Sequence, residues 1–162
     1  MAQSPGETEQ VIIPASWHLE FAHAAGKAAS RFLVALRDRG VLLASPCPRC
    51  SRVLVPPRSF CEDCFVPTDD DAWVEVGPEG VIEAATTQYA ELAGYAPPPY
   101  AVAYVRPDGA TTAIANYVSG VDLTDPATAA RALAIGTRVR AVFLQPTERQ
   151  ARITDFHWEP LS

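Results

Sequence analysis

Cys47-Pro48-Arg49-Cys50 is followed, after ten residues, by Cys61-Glu62-Asp63-Cys64, and these hold all four cysteines of a 162-residue chain. Two CxxC pairs let two short turns each present two thiolates to one tetrahedral metal ion. Zinc suits an all-sulfur site without redox demands, through Zn–S bonds of about 2.3 Å. An iron site of rubredoxin type uses the same four sulfurs and stays open at this point. With four thiolates bound, no position remains for water, so the site is predicted to be structural. Two disulfides would suit a smaller, cysteine-richer secreted module, and a thioredoxin-type pair needs one CxxC opening a helix. Knuckles of this kind often place glycine after the second cysteine, where φ > 0 is needed. Here Ser51 and Phe65 stand in those positions.

Outward from the cysteines, the composition is globular: 48% hydrophobic and 20% charged, with a net charge of −6 and a pI near 5.0. An acidic surface argues against nucleic-acid and anionic-membrane partners. No apolar run approaches the roughly 20 residues that span a bilayer. Residues 1–10 are polar and acidic, unlike a signal or transit peptide. With metal-spaced, reduced cysteines, this predicts a cytoplasmic protein.

Before the ribbon, Ser16 is a plausible N-cap, and apolar residues recur at Trp17, Phe21, Ala25, Ala28, Phe32, Ala35 and Leu36. Steps of three and four put them on one helical face, with Gly26 as a bend and Gly40 as the C-cap. Two readings of this stripe stand side by side. It packs on its own domain, or it docks a partner subunit through Trp17, Phe21 and Phe32. His18 and His23 are read as surface residues, because the metal site needs neither.

After the ribbon the texture changes to short alternating strands. Residues 73–76, 80–89, 100–106, 111–118, 138–144 and 151–158 each read as a strand. A helix over residues 127–133 precedes the penultimate one. Three consecutive prolines keep residues 90–99 in a loop. Three consecutive aspartates at positions 69–71 read as a solvated linker. This order fits a small closed Greek-key barrel of the OB-fold type. The fold class is therefore mainly β: an N-terminal tail and helix (residues 1–40), a rubredoxin-like zinc ribbon (41–71) and a C-terminal OB-fold barrel (72–162).

Several segments in this order resemble a known family, the zinc-ribbon OB-fold proteins grouped as DUF35. They are Gly40-Val41-Leu42-Leu43, the double CxxC, Val55-Pro56-Pro57-Arg58, Trp73-Val74, Gly80-Val81-Ile82 with Thr86, the run from Pro99 to Val105, and Ile135-Gly136-Thr137-Arg138-Val139 before Val142-Phe143. The chain departs from the pattern in lacking the knuckle glycines and in its long Ala-rich N-terminal helix.

The resemblance implies a structural Zn2+ ion and a non-catalytic accessory role beside a thiolase, or a thiolase-like protein of lipid-transfer type, that acts on a CoA thioester. The foremost expectation is a thiolase-like retro-aldolase of steroid side-chain degradation. An acyltransferase or thiolase complex is the alternative. The expected assembly is a hetero-oligomer such as a heterotetramer. In some relatives the module is fused to a hotdog-fold hydratase, which is not seen in this sequence.

No nucleophile–base pattern, Gly-rich phosphate loop or HExxH motif occurs. Arg49, Arg52 and Arg58 cluster around the ribbon as candidates for the CoA pyrophosphate, with solubilising arginines as the plainer reading. Tyr95, in the proline-rich loop, offers rigid apolar area to an acyl chain or a partner. A single-stranded nucleic-acid module is the reading from a different class, since OB-folds often bind strands. Residues 73–162 carry six arginines against ten acidic residues, a net of −4, which argues against it.

Overall fold

A computed structural model describes residues 11–161 apart from His18 and Asp69. One helix leads in, α1 (Lys27–Arg39). The ribbon strands follow: β1 (Leu42–Pro46), β2 (Val53–Leu54), β3 (Phe60–Cys61) and β4 (Val66–Pro67). A 3-10 turn at Asp70–Ala72 leads to β5 (Val74–Val76). The remaining elements are β6 (Glu79–Gln88), β7 (Tyr100–Pro107), β8 (Ile114–Val118), α2 (Pro126–Ala132), β9 (Arg138–Phe143) and β10 (Phe156–Pro160).

The helix is shorter than its stripe predicts. It begins at Lys27, not after Ser16, and residues 11–17 and 19–26 adopt no regular structure. Gly26 sits at φ 83°, outside the helical region, and forms the N-cap position rather than a bend. Helix nucleation is costly, and a periodic segment stays unwound where nothing covers its apolar face. Trp17 and Phe21 are 82% and 78% exposed. From Lys27 on, the stripe is covered: Phe32, Ala35 and Leu36 are buried. Gly40 closes the helix as expected, at φ 63° with its N–H donating to the Leu36 carbonyl. His18, read from the sequence as a surface residue, lies outside the described residues.

Five strands make the closed barrel, in the order β10-β8-β7-β6-β9. Alternation drives it. Along β7, Ala101, Ala103, Val105 and Pro107 point inward, while Tyr100, Val102, Tyr104 and Arg106 lie on the outer face. The parallel pairing of Trp158 with Val118 closes the ring, and α2 precedes β9 as an OB-fold requires. Inside, the Trp158 ring stands edge-on to Phe156 at 5.3 Å, and Ala101, Ala103 and Ala141 leave room for both. Gly80 is where β6 runs closest to β7. A Cβ there would meet the Arg106 carbonyl oxygen at 2.7 Å and the Pro107 Cα at 2.9 Å. At the seam with β9, Arg138 bridges Glu79 (3.0 Å) and Asp108 (2.6 Å), and Arg140 joins Glu79 at 2.6 Å.

Two strands depart from the predicted barrel. β5 pairs antiparallel with β1 rather than with a barrel strand, so β1 carries β2 on one edge and β5 on the other. The last strand starts at Phe156, after a 3-10 turn at Ile153–Asp155, because the buried Asp155 carboxylate accepts the N–H groups of Gln150 and Arg152 and holds a loop there. Thr111 and Thr112, predicted to open β8, turn to the ribbon instead. The Thr111 hydroxyl accepts the Val53 N–H (2.9 Å) and donates to the Val53 carbonyl (3.0 Å). The Thr112 hydroxyl does the same for Val55, at 2.7 and 2.9 Å. Two side chains thus stand in for a neighbouring strand and fasten the ribbon to the barrel.

Candidate metal centre and its surroundings

The ribbon has almost no apolar core of its own. Its buried cluster is Cys47, Leu54 and Cys61, with Cys64 and Val66 packed alongside. So few buried groups cannot offset the entropy of ordering two hairpins, which is the situation a structural metal remedies.

Backbone geometry aims the sulfurs. The Cys47 N–H donates to the Arg52 carbonyl (2.7 Å), and the Phe65 N–H to the Cys61 carbonyl (2.9 Å). Each knuckle then turns through a residue with positive φ: Ser51 at 59° and Phe65 at 52°. These are the two positions where glycine was expected, and the chain adopts the left-handed conformation there without it. The four sulfurs lie within 4.8 Å of one another, and Cys50 Sγ and Cys61 Sγ are 3.8 Å apart. Tetrahedral zinc with bonds of about 2.3 Å separates its sulfurs by about 3.8 Å, whereas a disulfide requires about 2.05 Å. All four cysteines are free, so donor type and spacing both fit a four-thiolate zinc ion.

The thiols differ electrostatically. Burial raises the Cys47 thiol, but the backbone N–H groups of Cys50 and Arg49 outweigh it and bring the group down to about 7. Hydrogen bonding with Cys50, then burial, pushes Cys64 up to about 12. Cys47 is thus favoured as a thiolate, while Cys50 and Cys64 are pushed up. A dication permits all four to ionise together, so metal uptake releases protons.

Phe65 is 83% exposed and loses no packing on truncation. The left-handed conformation costs a side-chain-bearing residue about 1–2 kcal/mol, and glycine returns about 0.5–1 kcal/mol of that through the unfolded chain. Phe65→Gly is therefore expected to stabilise the metal-loaded protein by about 0.5–1 kcal/mol, read as a raised Tm. An unchanged or lower Tm would mean that the phenyl group makes a compensating contact.

The structure redistributes the arginines. Arg52 ion-pairs with Glu62 at 3.1 Å and with Asp63, and Arg58 reaches Glu62 at 2.9 Å. The carboxylates come from the second knuckle itself. Glu62 is held below its ordinary range, first by its own backbone N–H and then by Arg58 and Arg52, against the opposing effect of burial. Two of the three cations expected to meet a pyrophosphate are thus matched by local anions, and Arg49 stands exposed at the first knuckle.

Of the expected partner contacts, Phe32 is only 3% exposed and belongs to the core with Leu36 and Leu42. It is corrected from an interface residue to a core residue. Trp17, Phe21 and Tyr95 are outward, Tyr95 being 66% exposed in its loop. Sequence reasoning passed over the outer barrel face, where Tyr100 and Tyr117 stack edge-on at 5.7 Å beside the exposed Tyr104. The alternation in residues 100–106 is the signal that could have placed Tyr100 and Tyr104 on the outside. Among the described residues, no helix is long and apolar enough to cross a membrane.

Comparison with known proteins gives two family matches. The rubredoxin-like zinc ribbon domain of ChsH2 matches residues 34–70, and its C-terminal OB-fold domain matches residues 73–144. Two similar solved structures are a DUF35 family protein of unknown function from Sulfolobus solfataricus and a chain of the Ltp2-ChsH2(DUF35) aldolase. The first is 21% identical, covers 83% of this chain and 86% of that one, and has a TM-score of 0.59. The second is 18% identical, covers 85% and 98%, and has a TM-score of 0.59. At these identities the likeness is one of fold. Curated protein sequences give no match.

Proposed function

This chain belongs to the DUF35 family of ChsH2-type zinc-ribbon, OB-fold proteins, and we propose that it is a non-catalytic accessory subunit of a thiolase-fold enzyme acting on a CoA thioester. The observation that carries this reading is the Ltp2-ChsH2(DUF35) aldolase, a complex in which a chain of the same architecture is a component. The reaction we assign to the assembly is aldol cleavage of a steroid side-chain thioester by the partner. The role of this chain is to hold geometry. The metal stiffens a corner that Leu54 and the cysteines could not hold alone, and the barrel and its 89–99 loop are presented from that corner.

The exposed aromatics support an assembled state. Trp17, Phe21 and Tyr95 are large apolar groups open to water, and such groups make the central contacts of interfaces. Arg49 is the cation left for a thioester phosphate, because Arg52 and Arg58 are already matched. Free thiols reserved for a metal suit the reducing cytoplasm.

Co-expression with a thiolase-like partner tests the reading. The expected result is a stable complex that cleaves a β-hydroxyacyl-CoA, with neither chain active alone. A partner that turns over the thioester at full rate without this chain would refute it.

A further inference from the structure

The outer edge of β6 is open. Its neighbour β9 pairs only with Glu79, Gly80 and Val81, and a last pair of hydrogen bonds ties Ile82 to Gly136 and Thr137. From Ala84 to Gln88 the strand pairs with β7 alone among the described residues. A bare edge invites another strand, and proteins usually defend it with charge, proline or a bulge. Residues 84–88 read Ala-Ala-Thr-Thr-Gln, with neither charge nor proline, and the one irregularity falls before them, between Ile82 and Ala84. Beside the edge runs a groove of about 370 Å3. Its strand wall is Ala85, Thr86 and Thr87, and its helix wall is Pro126, Ala130 and Leu133. No residue lining it is charged, in a chain of net charge −6. A groove between a strand edge and a helix has the shape that takes an extended peptide as an added strand.

A segment of matching chemistry lies on the same chain. Val11, Ile12 and Ile13 are 80%, 90% and 82% exposed, outside any helix or strand. β-branched residues favour strands, and Pro14, lacking an N–H, ends the run. The arm is joined to α1, which packs on β1 and the Ile153–Asp155 turn, whereas the helix walling the groove packs on β6.

We infer that residues 11–13 of one copy add as a strand to the open edge of β6 in a second copy, reciprocally, so that two chains form a closed dimer. Exchange of this kind uses the same two surfaces on each copy and leaves neither unfilled. It goes beyond the accessory role above and rests on different residues, Trp17 and Phe21 being left free for the thiolase-fold partner.

Light scattering on the full chain, without any partner, tests it across micromolar to hundred-micromolar concentrations. A concentration-dependent dimer is expected. Ile12→Asp and Ala85→Lys should each weaken it by about tenfold or more, as central contacts do, while Val34→Asp, at an exposed position on α1 away from the groove, leaves it intact. Hydrogen exchange should show those amides of residues 84–88 that face away from β7 protected in the dimer and released by Ile12→Asp. Should Ala85→Lys disturb folding, Ile12→Asp decides alone, since its side chain lies outside the core. The inference is overturned by a wild-type chain that stays monomeric. A monomer whose outward-facing 84–88 amides are protected at every concentration overturns it too, because the arm is then filling its own groove. So does a dimer indifferent to both variants, or one dissolved equally by Val34→Asp. A lost dimer with an intact thiolase-fold complex, or the reverse, tells the two readings apart.

Discussion

Cys61→Ser is expected to abolish the folded ribbon and most of its zinc binding. Cys61 is fully buried at the centre of the ribbon's small cluster, and its sulfur stands 3.8 Å from that of Cys50. Serine offers a poor ligand for zinc beside three thiolates and leaves a polar group in their midst. Structural zinc in small modules contributes on the order of 10 kcal/mol, against a total stability of about 5–15 kcal/mol for a typical domain. Leu54 is the only other residue of that cluster that is fully buried, so no apolar reserve remains when the metal leaves.

The loss spreads in a defined direction. β1 is the edge partner of both β2 and β5, and the Thr111 and Thr112 hydroxyls grip Val53 and Val55. Amides of residues 45–68 should lose protection first, then those of β5, while the barrel around Trp158 holds longest. Metal analysis, circular dichroism and hydrogen exchange read the three stages. A chelator applied to the wild-type chain should reproduce them. A variant with stoichiometric zinc and a wild-type melting transition would contradict a structural centre.

The parts legible in the sequence were those written in local chemistry. The cysteine spacing foretells four converging sulfurs, and the expected glycine sites at Ser51 and Phe65 foretell two left-handed residues. Alternation in residues 100–106 assigns the inner and outer faces of β7. What escaped depends on contacts between distant segments. The stripe from Trp17 to Leu36 has one period throughout, and only the covering of Phe32 and Leu36 decides that the helix starts at Lys27. Thr111 and Thr112 are as suited to a strand as to a clamp, and their partners lie 57–58 residues away. The arginine pairing could have been found earlier, because the carboxylates that meet Arg52 and Arg58 are the two residues inside the second CxxC.

Phe32 and Phe21 lie three helical turns apart on one apparent stripe, yet their substitutions should fail in opposite assays. Phe32→Ala removes a ring that is 3% exposed and opens a cavity beside Leu36 and Leu42. Such truncations cost about 3–5 kcal/mol, which removes much of a small domain's stability. The expected reading is a large fall in Tm, with partner binding weakened only as far as the folded fraction falls. Phe21→Asp, made together with Trp17→Asp, touches side chains 78% and 82% exposed and should leave the Tm of the isolated chain unchanged. In the proposed complex the same pair should raise the dissociation constant by about a hundredfold, as the loss of two aromatic anchors at an interface does. Melting curves and partner titrations on both variants separate core from docking surface. If the Asp pair lowers the Tm of the lone chain and leaves the complex alone, residues 17–21 fold back on their own protein and the docking surface lies elsewhere.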